Sequence, residues 1–451
     1  MRKSPIRREI FFSPSLEDRN VRILIVGSGG REHALAWKLE QSPHVTEIHV
    51  APGNGGTSKW INADIAADDL GGLLRYAKAK QIDFVVPGGE TSLVLGIADA
   101  CKDAGLPCFG PDTFAAQLEG SKIFAKEIMR ESGVPTADYS VHTDYEAAVA
   151  DVKKRGAPIV IKADGLAAGK GVVVAATVDE AVQALDDMML KGSLGESAAR
   201  RVLLEDALSG EEVSLLAFCD GEKAVPLSSA QDHKRAFDGD TGPNTGGMGA
   251  YSPAPLLPDA EARATCDLVI TPILKTMKAK GHPFKGILYA GLMYTPTGVM
   301  VLEYNTRFGD PECQPLLMRL DADLLEIMQA CVDGKLDESL VKFRPEEAVC
   351  IVLAAEGYPG SYPKGMPITG FAEAEGVAPG KVVVFHAGTK NEDGQILSNG
   401  GRVLGITALG GSLAEAQKLA YEATAHMRME KAFFRRDIAA KGLNRCWACS
   451  K

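Results

Sequence analysis

Apolar and polar positions fall into two periods along this chain. Val21–Val26 is an unbroken apolar run, the pattern of a strand buried on both faces. It ends in Gly27-Ser28-Gly29-Gly30-Arg31-Glu32, and helical spacing follows over His33–Leu39. Glu47–Val50 and Asp83–Val86 read as further strands, each closed by a turn: Ala51-Pro52-Gly53-Asn54 and Pro87-Gly88-Gly89-Glu90. Strand, glycine loop, helix is the phosphate-binding start of an α/β unit, and ligands gather at the carboxyl ends of such strands. A dinucleotide fingerprint requires a third glycine where Glu32 stands. The loop is therefore expected to bind a single phosphate or sugar phosphate, through Gly29, Gly30 and Arg31, with Glu90 facing ribose hydroxyls.

Ser121–Ser132 is amphipathic and carries Lys122, and Thr143 with Glu146 has capping-box spacing at the start of another helix. Ile159–Lys162 and Val172–Ala175 are strands joined by a glycine-rich turn holding Gly169, Lys170 and Gly171. Such a turn makes a flexible flap whose N–H groups can cover phosphates, with Lys162 and Lys170 adding point charges. A P-loop would lead into a helix, and here a strand follows. Val202–Glu205 is a strand running into Asp206-Ala207-Leu208-Ser209. Ser229–Tyr251 is a long loop poor in bulky apolar residues, a composition that is usually functional or disordered. Within it, His233 taken alone reads as a surface histidine. A helix around Asp259–Lys280 precedes the hairpin Ile287–Tyr294 and Val299–Tyr304. Gln314–Gly334 reads as one helix and Leu336–Pro345 as a connection. Ala348–Ala355 and Lys381–Phe385 read as strands. Asn399-Gly-Gly-Arg-Val403 joins two more, and Ser412–His426 reads as a helix. The expected division is a basic-headed extension over 1–20, an N-terminal α/β domain over 21–120, a nucleotide-binding domain over 121–345 and a small mixed domain over 346–451.

At 451 residues the chain exceeds a single core. A net charge of −10 argues against nucleic acid as a partner, so cations that handle phosphate must sit in local pockets. No apolar run reaches membrane-spanning length, and residues 1–20 lack the apolar core of a secretory signal. The nine cysteines lie mostly in apolar segments and read as reduced, placing the protein in the cytoplasm. Cys446-Trp-Ala-Cys449 is a lone pair without the partners a zinc site requires.

The densest chemistry is Val301–Gln314, VLEYNTRFGDPECQ. Glu303 and Asn305 are two apart and share a face if they lie on a strand. Arg307 continues that face if the strand persists. A carboxylate and an amide oxygen suit Mg²⁺ or Mn²⁺, which takes its remaining ligands from phosphates and water. The arginine suits a planar carboxylate or a phosphoryl group in flight. Asp310 and Glu312 add two acids at the turn.

Glu303-Tyr-Asn305-Thr-Arg307 resembles the metal-binding strand of ATP-grasp ligases. Arg307-Phe-Gly-Asp-Pro-Glu312 and Gly242-Pro-Asn-Thr-Gly-Gly-Met-Gly249 resemble the phosphoribosylamine–glycine ligases of that superfamily, and the similarity runs from about Val21 to about Ile438. The resemblance implies a Rossmann-like N-terminal domain, an ATP-grasp domain with a glycine flap and a small C-terminal domain. It also implies the joining of glycine to 5-phosphoribosylamine with ATP, through a glycyl phosphate, by a monomer or weak homodimer. On the same footing Lys122, Lys162, Gly169, Lys170, Gly171, Glu205, Asp206, Leu208 and Glu212 would bind the nucleotide. Glu303 and Asn305 would hold the metal, since Tyr289–Leu292 lacks the further acid many ATP-grasp enzymes carry there. Arg307, Lys162 and Lys170 would be catalytic. Asp232, Lys234, Asn244, Thr245, Gly246, Gly247 and Asp310 would meet substrate. Arg402 and Lys390 would clamp the substrate phosphate together with the glycine loop. Family chains usually have Gly-Pro-Glu where Gly88-Gly89-Glu90 stands. An ATP-grasp carboxylase or formate-using transformylase is a second reading, opposed by the two long motifs. A catalytically dead nucleotide sensor is a third, opposed by the presence of Lys162, Glu303, Asn305 and Arg307.

Overall fold

The computed structural model of the protein describes residues 20–166, 171–191 and 201–445. Val21–Gly27 sits inside a parallel sheet ordered Ile61–Asn62, Val45–Pro52, Val21–Gly27, Phe84–Pro87. Its side chains Ile23 and Ile25 are fully buried, as the unbroken apolar run requires. Helix Gly30–Leu39 follows directly on the glycine loop.

Tyr139–His142, Val202–Asp206, Ile159–Ala163 and Val172–Ala175 form an antiparallel sheet in that order. This lobe packs on a core of its own, built around Val152, Ile161, Leu185 and Leu204. A second antiparallel sheet is ordered Ala224–Pro226, Glu211–Asp220, Lys285–Thr295, Gly298–Asn305. Its last two strands are the expected hairpin, and the register sets Gly291 opposite Glu303 and Tyr289 opposite Asn305.

The last large sheet crosses the expected domain boundary. Gln231–Asp232 and Gly249–Ser252 line up beside Glu347–Ala355, Arg402–Gly410 and Val382–His386, with Ala432–Phe433 pairing at the end of Glu347–Ala355. One apolar core runs through Ile23, Phe218, Leu316 and Phe385, so the N-terminal, central and C-terminal layers are packed together.

Local chemistry explains most helix ends. Ser121 accepts from Phe124 N at 3.1 Å and starts Lys122–Ser132, and Gly133, left-handed at φ 70°, ends it. The capping box at Thr143 is corrected. Asp144, one residue on, caps Tyr145–Arg155 by accepting from Ala147 N at 2.8 Å. The helix expected over Asp259–Lys280 is two, Asp259–Val269 and Thr271–Ala279, because Pro272 has no N–H to continue the ladder. Gln314–Gly334 likewise divides into Cys313–Arg319 and Leu324–Asp333, since Asp323 caps the second. The seven described cysteines are all free. Among the described residues no helix is long and apolar enough to cross a membrane. The pair Cys446 and Cys449, the tip residues Gly169 and Lys170, and residues 1–19 lie outside the described residues.

Candidate active site

The strand Gly298–Asn305 ends with Glu303 and Asn305 on one face. Burial opposes ionisation of Glu303, but the charges of Lys234, Lys162, Lys122 and Arg307 hold its carboxyl below the usual range. The Glu303 carboxylate forms no hydrogen bond or ion pair with another of the described residues. Three of these cations, Lys162, Lys234 and Arg307, are also paired with other acids, so Glu303 is kept ionised inside a network of both charges. The strand does not persist to Arg307, yet Arg307 turns back and donates from Nη2 to Asn305 Oδ1 at 3.3 Å.

Arg307 is held from two further sides. Its Nη2 lies 2.7 Å from Glu119 Oε1 and its Nε 3.3 Å from Glu90 Oε2. Glu119 Oε2 also accepts from Thr306 N at 2.8 Å, tying the helix Thr113–Gly120 to the motif. Burial pushes the Glu119 carboxyl up while Arg307 pulls it down, and burial prevails. Nothing in the sequence pattern singles out Glu119, an ordinary acid at the end of an unremarkable helix.

On the nucleotide side, Lys162 Nζ lies 2.9 Å from Glu205 Oε1 and donates to Leu302 O at 3.1 Å. Lys126, also missed from sequence, reaches the other Glu205 oxygen at 3.1 Å and is pushed down to about 8 by burial. The Glu205 side chain is thus occupied by two lysines, so any contact it makes with nucleotide falls to its backbone. Lys122 donates to Gly165 O at 2.9 Å, which turns it onto the start of the glycine turn. Buried Gly171 accepts from Ala163 N at 2.8 Å at the other end of that turn. Asp206 pairs with Arg155 at 3.0 Å, Leu208 is half-buried, and Glu212 pairs with Lys234 at 2.7 Å.

The side expected to meet the acceptor substrates centres on Asp310, Arg31 and the loop Asn244–Gly247. Arg31 donates from Nη1 to Phe308 O at 3.0 Å, joining the N-terminal glycine loop to the motif. Asp310 is half-buried, and Arg402, Arg31 and a hydrogen bond from Gln314 hold its carboxyl low against the desolvation. Asp232 is pushed up to about 7, chiefly by burial, with Glu312 and Glu212 adding to the rise against Lys234. Thr245 bonds Lys234 O through both its N–H (2.7 Å) and its Oγ1 (2.9 Å), which folds Asn244–Gly247 back over Lys234.

Three expectations about this side are corrected. The glycine loop is not wholly bare: Gly29 N donates to Glu32 Oε2 at 2.5 Å, so a carboxylate from the same helix stands at the place expected for phosphate. Asp310 stands beside it, its Oδ2 3.3 Å from where a Cβ on Gly29 would lie. Arg402 and Lys390 do not form a joint clamp. Arg402 Nη1 donates to the carbonyls of Gly246 (2.6 Å), Gly247 (3.3 Å) and Asp310 (2.5 Å), whereas Lys390 pairs with Glu392 on its own hairpin. His233 is not on the surface. It is 1% exposed, and burial first, then Arg435 and Lys441, push it down to about 4.

A lobe with its own core carries Lys162 toward an acid–amide pair at the end of a central hairpin, and a parallel-sheet domain is packed on the same core as that hairpin. That arrangement is the ATP-grasp ligase fold. Within it, three family models match in series: the phosphoribosylglycinamide synthetase N domain over 21–119, its ATP-grasp (A) domain over 120–313 and its C domain over 348–441. The chain belongs to the phosphoribosylglycinamide synthetase family. It is 51% identical over 429 residues to a phosphoribosylamine–glycine ligase of Vibrio vulnificus, covering 94% of this chain and 99% of that one. The crystal structure of phosphoribosylamine–glycine ligase from Thermotoga maritima superposes with a TM-score of 0.80 at 33% identity, covering 93% of this chain and all of that one. A biotin carboxylase from Campylobacter jejuni, at 16% identity and a TM-score of 0.70 over 92% of each chain, shares the fold.

Proposed function

We propose that this chain is a phosphoribosylamine–glycine ligase: ATP, glycine and 5-phosphoribosylamine give ADP, phosphate and glycinamide ribonucleotide in purine biosynthesis, in the cytoplasm. The observation that carries the reading is the convergence of Lys122, Lys162, Lys234 and Arg307 on Glu303, with Asn305 on the same face.

A glycine carboxylate oxygen attacks the γ-phosphorus, the bond to the β-phosphate oxygen breaks, and ADP leaves. The phosphoribosylamine nitrogen then attacks the glycyl carbonyl, the carbon–oxygen bond to phosphate breaks, and the amine gives up a proton. Neither step needs a protein nucleophile, so the residues position groups and neutralise charge. Lys122 and Lys162 meet the phosphates, Lys162 being oriented by Glu205 and Leu302 O. Arg307, held by Glu119, Glu90 and Asn305, is preorganised for the transferring phosphoryl group and the acyl phosphate. Glu303 and Asn305 fit Mg²⁺, a carboxylate kept ionised beside an amide oxygen being its preferred donors; when bound it would neutralise phosphate charge. Asn244–Gly247, Asp310 and Arg31 meet the acceptor substrates.

Incubation with ATP, glycine and phosphoribosylamine, omitting each in turn, tests the reading. Phosphate release should require all three. Release with bicarbonate or formate in place of glycine would assign the chain to another ATP-grasp activity, and nucleotide binding without turnover would assign it to a sensor.

A further inference from the structure

The loop Asn244–Gly247 grows out of a hairpin, Arg235–Phe237 with Thr241–Asn244, whose strands pair only with each other and are mostly exposed. An isolated two-stranded hairpin is marginally stable in water. What holds it here comes from the end of the chain. Arg435, 1% exposed, donates from Nη1 to Arg235 O (3.0 Å) and Asp240 Oδ1 (2.9 Å). Its Nε and Nη2 fork onto Asp437 at 2.7 Å each, and Asp437 in turn accepts from Gly239 N at 2.9 Å. Arg436 N donates to Asp238 Oδ1 at 2.7 Å, and Lys441 reaches Asp240 Oδ2 at 2.6 Å. The turn 238–240 is therefore bound at every residue by the segment 435–441.

That segment is itself fastened to the C-terminal core. Tyr421, on the helix Leu413–His426, donates to Arg435 O at 2.9 Å and accepts from Ile438 N at 3.0 Å, and Ile438 is fully buried. At its other end the hairpin delivers Thr245 onto Lys234 O and Gly246 onto Arg402. Arg435 reaches both ends of the hairpin, the turn through Asp240 and the loop end through Arg235 O, whose residue pairs opposite Asn244, and it acts on the loop through this backbone.

We propose that residues 435–441 are a strap and that Arg435 is a positioning residue for the acceptor-substrate loop, setting how often Asn244–Gly247 stands in its binding geometry. The inference rests on the ligase reading for which substrates meet that loop, but the physical coupling does not. A guanidinium is needed because one side chain must hold a carbonyl, a single carboxylate oxygen and a bidentate carboxylate at once. A lysine has three donors and no fork.

The test uses the full chain with Arg435→Met, Arg435→Lys and Asp240→Asn. In Arg435→Met the Michaelis constant for glycine or phosphoribosylamine should rise roughly ten- to a hundredfold, the range of one lost charged hydrogen bond, while that for ATP moves less than about twofold. Arg435→Lys should recover part of the loss. Asp240→Asn breaks only the outer contacts and should fold normally, with a smaller shift in the same direction. Trypsin cleavage after Lys234 or Arg235 should quicken in the same order. A uniform loss for all three substrates, or unchanged constants with unchanged trypsin cleavage in Asp240→Asn, would overturn the strap. Wild-type protein that turns over none of these substrates would overturn the ligase reading, and the trypsin series would still decide the strap.

Discussion

Arg307 and Glu119 meet as a half-buried ion pair, Nη2 to Oε1 at 2.7 Å, although 187 residues separate Glu119 from the adjoining Thr306. Glu119 does not reach the Glu303–Asn305 face proposed to take the metal; it holds the arginine that meets Asn305. Glu119→Gln should therefore keep ATP binding and lower turnover roughly ten- to a hundredfold, the range for one charged hydrogen bond. Nucleotide affinity by fluorescence and single-turnover rates check it. A matching loss in ATP affinity would make Glu119 a structural residue of the whole site.

Glu303→Gln removes the carboxylate charge from the proposed metal face and leaves its shape. Activity at ordinary Mg²⁺ should largely vanish, with partial recovery at high Mg²⁺. Titration of rate against Mg²⁺ checks this, and wild-type turnover at ordinary Mg²⁺ would refute the assignment.

Arg307→Ala should lower turnover far more than ATP affinity, by roughly 10²–10³, the usual loss for one preorganised donor to developing charge. Weaker ATP binding at unchanged turnover would place Arg307 on the ground-state nucleotide instead.

Arg402→Ala should not act on phosphoribosylamine alone. Arg402 ties Gly246 and Gly247 to Asp310, so the variant loosens that end of the proposed acceptor loop. The Michaelis constants for glycine and phosphoribosylamine should rise together, with ATP little affected. A rise for phosphoribosylamine only would restore a direct phosphate contact.

Acid should destabilise the protein through buried histidines. His233 and His386 are pushed down to about 4, and His33 is also lowered, burial being the main cause in each. Folded, they stay neutral; unfolded, each takes a proton as pH falls through about 6.5. Stability should be level above pH 7 and fall between about 6.5 and 5 by about 1.4 kcal/mol per pH unit for each histidine. Melting curves at pH 7.5, 6 and 5 measure the slope. His386→Asn should lessen it, and an unchanged slope would exclude His386 as a contributor.

Much of this site was legible because period and spacing are local. Two residues apart on a strand gave Glu303 and Asn305 a common face, and strand–glycine turn–strand around Lys162 marked the lobe. The partners of these residues were not legible, because Glu119 and Lys126 come from elements brought together only by the fold. Direction was misread where a residue had two ways to turn. Arg402 faces carbonyls across the sheet rather than a ligand, and the glycine loop closes on Glu32 within its own helix. Domain edges were hardest, since the loop Ser229–Tyr251 looks unstructured in sequence yet contributes two strands to the C-terminal sheet.

That shared sheet has a bearing on how this chain can be taken apart. Severed in the connection near Phe343, the first piece would end with Gly249–Ser252 stripped of its neighbour, and the second would begin with an apolar edge, Glu347–Ala355, seeking one. Neither piece would be a free-standing module. Expressed separately, the two would adhere to each other or to themselves through those bare edges, so the C-terminal part could not be exchanged between enzymes without carrying the acceptor loop along.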